Sequence, residues 1–152
     1  GVRMISRLRY TFREMWASLS RNLTLTFAAV ITSTISLLFD AGHMAFAGGD
    51  VLRCIDKHHA RIRHVHTKDV RMEVINKLDR SQESFLDAVI KGAFTVPGDG
   101  SLDFAAIVKK LAGYGYEGWF VVEAEQDPAV APSYQYAQKG YRTLRGLVDS
   151  LS

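Results

Sequence analysis

Cysteine is almost absent. The single Cys54 excludes an internal disulfide and fits a reducing compartment. Its plain reading is a small buried apolar residue at the start of a helix. Internal repeats and low-complexity tracts are also missing, which sets aside solenoids and arrays. Acidic residues are scarce at the N-terminal end, where residues 1–22 set Arg3, Arg7, Arg9, Arg13 and Arg21 against Glu14 alone, a local charge of +4. Residues 23–39 hold no charge at all, so residues 40–152 carry −1, from 14 Lys and Arg against 15 Asp and Glu. The whole-chain charge of +3 therefore belongs to one short arm. A distributed basic face with interleaved aromatics is lacking, which argues against a nucleic-acid partner. Disorder is excluded by what is present: 47% of the 152 residues are hydrophobic, enough for a real core in one domain of ordinary size.

Three segments differ in pattern. In residues 1–22, Ile5, Leu8, Phe12, Met15, Trp16 and Leu19 recur at spacings of three and four, one stripe of a basic amphipathic helix. Trp16 and the arginines suit a membrane interface. Leu23 to Phe39 is a run of 17 uncharged residues, the lower limit for a membrane-spanning helix. Its Ser and Thr content leaves a buried helix or strand of a soluble protein as the other reading. From Asp40 onward, strand-like and helix-like stretches alternate. Asp50 is placed to cap a helix from Val51 to Arg61, and a strand follows from Ile62 to Val70. Glu73 to Lys91 reads as helical with a break near Ser81. Asp103 caps a further helix, Trp119 to Val122 is a strand, and Ser133 to Leu151 is a closing helix. This order implies parallel strands covered by helices.

The chemistry lies at strand ends. On the strand around His64-Val65-His66-Thr67-Lys68-Asp69, His64, His66 and Lys68 share one face. Asp40-Ala41-Gly42-His43 ends a second apolar run, and Glu123-Ala124-Glu125 ends a third. Such groups must be paired, metal-bound or wet. Three apolar strands that each close in Asp, His or Glu suggest parallel strands whose carboxyl ends carry chemistry. Bland readings stand beside this one. His64 alone reads as a hydrogen-bonded core or rim histidine, Lys68 and Asp69 as a surface ion pair, and Asp99 between two glycines as turn chemistry. His58 and His59 close a helix, where imidazolium favours the dipole. Of Glu123 and Glu125, at most one is a ligand.

Two family resemblances can be stated. Arg21-Asn22-Leu23-Thr24-Leu25-Thr26 and Ile31-Thr32-Ser33-Thr34-Ile35-Ser36-Leu37-Leu38-Phe39 resemble the N-terminal arm and first transmembrane helix of the FtsX-type cell-division permease. Residues 40–152 are similar to the last third of the myo-inosose-2 dehydratases, through Asp40-Ala41-Gly42-His43, Phe46-Ala47-Gly48-Gly49-Asp50, His64-Val65-His66-Thr67-Lys68-Asp69-Val70-Arg71, Phe94-Thr95-Val96-Pro97-Gly98-Asp99-Gly100 and Val121-Val122-Glu123-Ala124-Glu125-Gln126-Asp127-Pro128. That family usually has Thr where Ala41 stands. The second resemblance implies a xylose-isomerase-like TIM barrel and a hydro-lyase acting on a cyclic polyol ketone in inositol catabolism. It implies manganese or cobalt held by Asp40, His66 and Glu123, with His43 at a substrate-contacting position. His43, Lys68, Asp69 and Glu125 are the candidates for proton transfer, and the sequence does not choose among them.

The resulting expectation is an α/β fold. A partial TIM barrel of about three βα units with parallel strands follows an amphipathic helix (1–22) and an apolar, transmembrane-type helix (23–39) whose end doubles as a strand. The dehydratase resemblance places the chain in the cytoplasm, and the permease resemblance anchors it to the inner membrane through 1–39 and partner proteins. Both together read as a chimera joined at 39/40. The resemblance begins at the sixth barrel strand, so the first Glu ligand and five strands have no counterpart. A fragment of low or no activity, with open sheet edges inviting homo-oligomers, is expected.

Overall fold

The computed structural model describes residues 36–151. The readings made on residues 1–22 and on most of the apolar run lie outside the described residues. Within them the compact unit begins at Leu37. Strand β1 (Leu37–Asp40) is followed by α1 (Ala41–Phe46), α2 (Val51–His58), a 3-10 turn (His59–Arg61) and β2 (Ile62–His66). Then come β3 (Asp69–Val70), α3 (Met72–Ile75), α4 (Phe85–Ile90), β4 (Phe94–Thr95), α5 (Phe104–Gly113), β5 (Trp119–Val121) and α6 (Ser133–Asp149).

β1, β2 and β5 form a parallel sheet with β2 in the middle. Phe39, Ile62 and Val65 turn one way into a core completed by Ile55 of α2, Phe104, Ile107, Val108 and Leu111 of α5, and Leu144 of α6. The helices start where the sequence offers caps: the carboxylates of Asp40, Asp50 and Asp103 accept from the amides of His43, Arg53 and Ala106. Cys54 packs against this core, half-buried, and burial pushes its thiol up.

The end of the apolar run, expected to double as a strand, is the strand Leu37–Asp40. Several expectations are corrected here. No helix among the described residues is long and apolar enough to cross a membrane. The strand expected from Ile62 to Val70 stops at His66, because the Thr67 amide and hydroxyl both donate to the Val121 carbonyl, each at 2.8 Å, and the chain then leaves the sheet. It re-forms as β3, which pairs antiparallel with β4 over a second small core of Val70, Ile75, Ala88, Ala93 and Phe94. Not every strand is therefore parallel. The helix expected over 73–91 is interrupted around Ser81, where a break was expected, and leaves the shorter α3 and α4. The Asp79 carboxylate accepts from the amide and hydroxyl of Ser81, and a Ser84–Asp87 capping box restarts the helix. Such local bonds offer the backbone an alternative to the helical ladder.

Candidate metal centre

The parallel register decides which side chains meet. Asp40 is paired with His66, and His66 with Val121, so β1, β2 and β5 end level with one another. Glu123 follows β5 by two residues. Asp40, His66 and Glu123 thus converge, each offering one ligand atom with all three atoms within 4.8 Å of one another. His66 Nδ1 lies 2.5 Å from Glu123 Oε2 and 3.6 Å from Asp40 Oδ2. Asp40 serves two purposes, since Oδ1 caps α1 while Oδ2 lies 3.0 Å from His43 Nδ1.

Lys68 enters this group from below. It is fully buried. Its Nζ lies 3.1 Å from Glu125 Oε2 and 3.7 Å from both Asp40 Oδ2 and Glu123 Oε2. His43 Nε2 is 3.4 Å from the same ammonium and 3.3 Å from Glu125 Oε2. The Lys68 stem passes over Gly42: a Cβ at that position would meet Lys68 Cγ at 2.8 Å and its carbonyl oxygen at 2.9 Å. Gly42 is therefore required by close approach.

Three carboxylates, two imidazoles and one ammonium make a site rich in negative charge. Despite their neighbours, the buried Glu123 Oε2 and Glu125 Oε2 lack hydrogen bonds among the described residues. Buried carboxylate oxygens are normally satisfied. Oxygen and imidazole donors with unspent acceptor capacity suit a hard or borderline divalent cation, so the residues present fit a metal.

The other expected site residues fall as follows. His43, Lys68 and Glu125 join the cluster. Asp69 does not. Its carboxylate is buried and accepts from the amides of Val70 (2.8 Å), Leu102 (2.9 Å) and Gly100 (3.1 Å). Burial pushes it above the ordinary carboxylate value, against the pull of those amides. It fixes the 98–102 loop, and it is not a surface partner of Lys68. His64 packs edge-on against His66 with ring centroids 5.4 Å apart and contributes no ligand atom to the cluster. His59 stacks on Tyr114 at 3.8 Å, away from the cluster.

Two features were missed by reading the sequence. One is an aromatic wall: His43 lies 5.8 Å from Phe85 and 5.5 Å from Phe94, and Phe46 completes the group at 5.0 Å from Phe94. Its members are far apart in the chain, and no spacing announces them. The other is a polar brace. Arg71 donates to Asp99 Oδ2 (2.5 Å), Thr95 Oγ1 and the Gly92 carbonyl, while Lys139 of α6 also pairs with Asp99. Burial pushes the Asp99 carboxyl up, but Lys139, Thr95 and Arg71 outweigh it and hold it below the ordinary value. Asp99 is thus more than a turn residue.

Comparison with known proteins agrees with the geometry. Residues 20–147 match the family described as xylose isomerase-like TIM barrel. This span crosses the junction expected at 39/40, and the matches lend no support to the permease resemblance or to a chimera. An inosose dehydratase of Geobacillus thermodenitrificans (strain NG80-2) is 56% identical over 111 residues, covering 73% of this chain and 37% of that protein. An inosose dehydratase of Bacillus thuringiensis (strain Al Hakam) is 49% identical over 114 residues, 75% of this chain and 38% of that protein. The rhizopine catabolism protein MocC of Rhizobium meliloti is 50% identical over 116 residues, 76% of this chain and 36% of that protein. Among solved structures, a xylose isomerase-like TIM barrel/4-hydroxyphenylpyruvate dioxygenase fusion protein superposes with a TM-score of 0.54 at 25% identity, covering 74% of this chain and 17% of the other. The chain spans little more than a third of the curated relatives it matches. With strand ends, site and sequence in agreement, the chain belongs to the xylose isomerase-like TIM barrel family.

Proposed function

We propose that residues 40–152 act as the metal-binding portion of a myo-inosose-2 dehydratase-like lyase, which removes water from 2-keto-myo-inositol. The observation that carries this reading is the convergence of Asp40, His66 and Glu123 on one point at the carboxyl ends of three parallel strands. These three residues would hold a divalent ion, manganese or cobalt by the chemistry of the donors. A bound divalent ion supplies Lewis acidity to a ketone oxygen.

The remaining groups are placed for the proton work. Elimination of water from a β-hydroxy ketone breaks a C–H bond next to the carbonyl and a C–O bond one carbon further on. Glu125 Oε2, buried and ion-paired with Lys68 at 3.1 Å, is the acceptor for the proton at carbon. His43 Nε2, 3.3 Å away, receives that proton and returns it to the departing hydroxyl, which leaves as water. Asp40 orients the imidazole through Nδ1. Lys68 holds Glu125 in place and balances the carboxylates. Asp69 takes no part in this scheme.

The test is calorimetric titration of the purified chain with manganese and with cobalt, beside His66→Ala. Loss of a direct ligand should weaken binding by at least about 100-fold, given that even outer-shell partners are worth about 10–100-fold. Binding followed by production of the dehydrated ketone from 2-keto-myo-inositol supports the proposal. Absence of binding, or binding indifferent to His66, overturns it.

A further inference from the structure

Phe85 is the first residue of α4 and is 46% exposed, although its ring belongs to an aromatic cluster. The other members are anchored. Phe94 is fully buried, and Phe46 is partly buried against the same core. Phe85 stands on both, at 5.4 Å from Phe94 and 5.8 Å from Phe46. Its start position is fixed by the capping box, in which the Ser84 amide donates to Asp87 Oδ2 and the Asp87 amide to Ser84 Oγ. The ring also lies 5.8 Å from that of His43, whose Nε2 reaches Glu125. One exposed aromatic ring is thus held rigidly, one side chain away from the groups assigned to proton transfer.

A cyclic polyol has two chemistries. Its hydroxyls lie around the rim, and its ring faces present C–H bonds. Carboxylates, a histidine and a lysine can read the rim. The C–H face needs an apolar surface, and the negative face of an aromatic ring suits the slightly positive C–H hydrogens. We infer that Phe85 is a specificity-determining residue: the platform on which one C–H face of a cyclic polyol ketone rests, leaving its rim hydroxyls to His43 and its other face to Glu125. The inference rests on the function proposed above and adds the recognition of a ring. An open-chain polyol offers no such rigid face. Leu86 and Ile90 are also exposed on α4, at 63% and 59%, but neither has a ring contact with His43.

The experiment uses the whole chain with manganese present. It measures binding of 2-keto-myo-inositol by calorimetry to wild type, Phe85→Ala, Phe85→Tyr and Leu86→Ala. Manganese affinity and thermal melting are recorded for each variant. Phe85→Ala should weaken ketone binding about 10-fold or more while manganese affinity holds. Phe85→Tyr should stay within about threefold of wild type, and Leu86→Ala should be unchanged, since aromatic platforms act through the ring. Ketone binding that is indifferent to Phe85→Ala, or lost equally in Leu86→Ala, overturns the inference and leaves the proposed function standing. A wild-type chain that binds manganese but not the ketone ends both.

Discussion

Removing the buried ammonium should change stability and metal affinity in opposite directions. Lys68 is fully buried and is the cation nearest three carboxylates, at 3.1 Å from Glu125 and 3.7 Å from Asp40 and Glu123. Lys68→Met keeps most of the stem and its packing while deleting the charge. Breaking a buried ion pair by removing one partner costs about 3–5 kcal/mol. Here the Glu123 and Glu125 side chains keep 36% and 35% of their exposure, and water screens part of the loss. About 2 kcal/mol is the expected cost, or a fall in Tm of roughly 6–10 °C for a unit of this size. The same deletion removes a positive charge beside two of the three metal ligands, so manganese should bind about 10-fold more tightly. Saturating metal at about 100 times Kd contributes about 2.7 kcal/mol by mass action and should recover most of the lost stability. Thermal melts with and without manganese, together with calorimetry, read both halves. A variant that melts at or above wild type without metal, or one whose manganese affinity falls, refutes the reasoning.

Three further predictions follow from packing and charge. Gly42→Ala drives a Cβ to 2.8 Å from Lys68 Cγ, and overpacking of about 1–3 kcal/mol should outweigh the gain in helix propensity; a urea melt showing a neutral or stabilised variant would contradict this. Asp99 titrates below its ordinary value of 3.8 in the folded chain, so its contribution is fully present above 3.8 and is lost as pH falls through the lower folded value. The stability gap between wild type and Asp99→Asn should accordingly be constant near neutrality and close in acid, and a gap that persists unchanged in strong acid counts against the brace. Tyr116, whose hydroxyl donates to the Trp119 carbonyl at 2.9 Å, is pushed up to about 12 by burial. Its contribution is present below the ordinary value of 10 and is lost as pH rises from 10 through about 12; the hydrogen bond to Asp56 raises Tyr114 as well, so spectrophotometric titration should show late phenolates of which Tyr116→Phe removes one.

The strand ends were legible because their signal is local. An apolar run closed by Asp, His or Glu states the element and where its polar groups fall, whereas the choice of Asp40, His66 and Glu123 among those groups came from the dehydratase resemblance. Helix starts were equally open to reading at Asp50 and Asp103, where the cap precedes an apolar stripe. The misreadings come from longer-range causes. Alternation carried β2 past His66 because nothing in the local pattern records that Thr67 bonds to Val121, 54 residues away. Asp69 looked like a partner for Lys68, and it faces the loop at Gly100 and Leu102 instead. The break expected near Ser81 falls in the turn made by Asp79 and Ser81, but the helices on either side are shorter than the periodicity suggested. At Leu37-Leu38-Phe39 composition allowed both a helix tail and a strand end, and pairing with β2 gives the strand.

Metal binding and turnover make different demands on this unit. Along each strand, residues two apart share a face. Leu38, His64 and Trp119, paired across the sheet, therefore lie in the row beneath Asp40, His66 and Val121. The opposite face is sealed, with Phe39 at 2% and Val65 at 0% exposure, whereas Leu38 is 52% and Trp119 75% exposed. Two large apolar side chains flanking an uncovered row mark a surface that gains stability from being covered. Binding a divalent ion needs only the three strand ends in register, and β2 supplies that register by pairing with both neighbours. Stabilising developing charge on a ketone needs fixed dipoles with water excluded, because electrostatic interactions weaken steeply as the local dielectric rises. With that row uncovered among the described residues, the unit should bind metal more readily than it performs the dehydration proposed above.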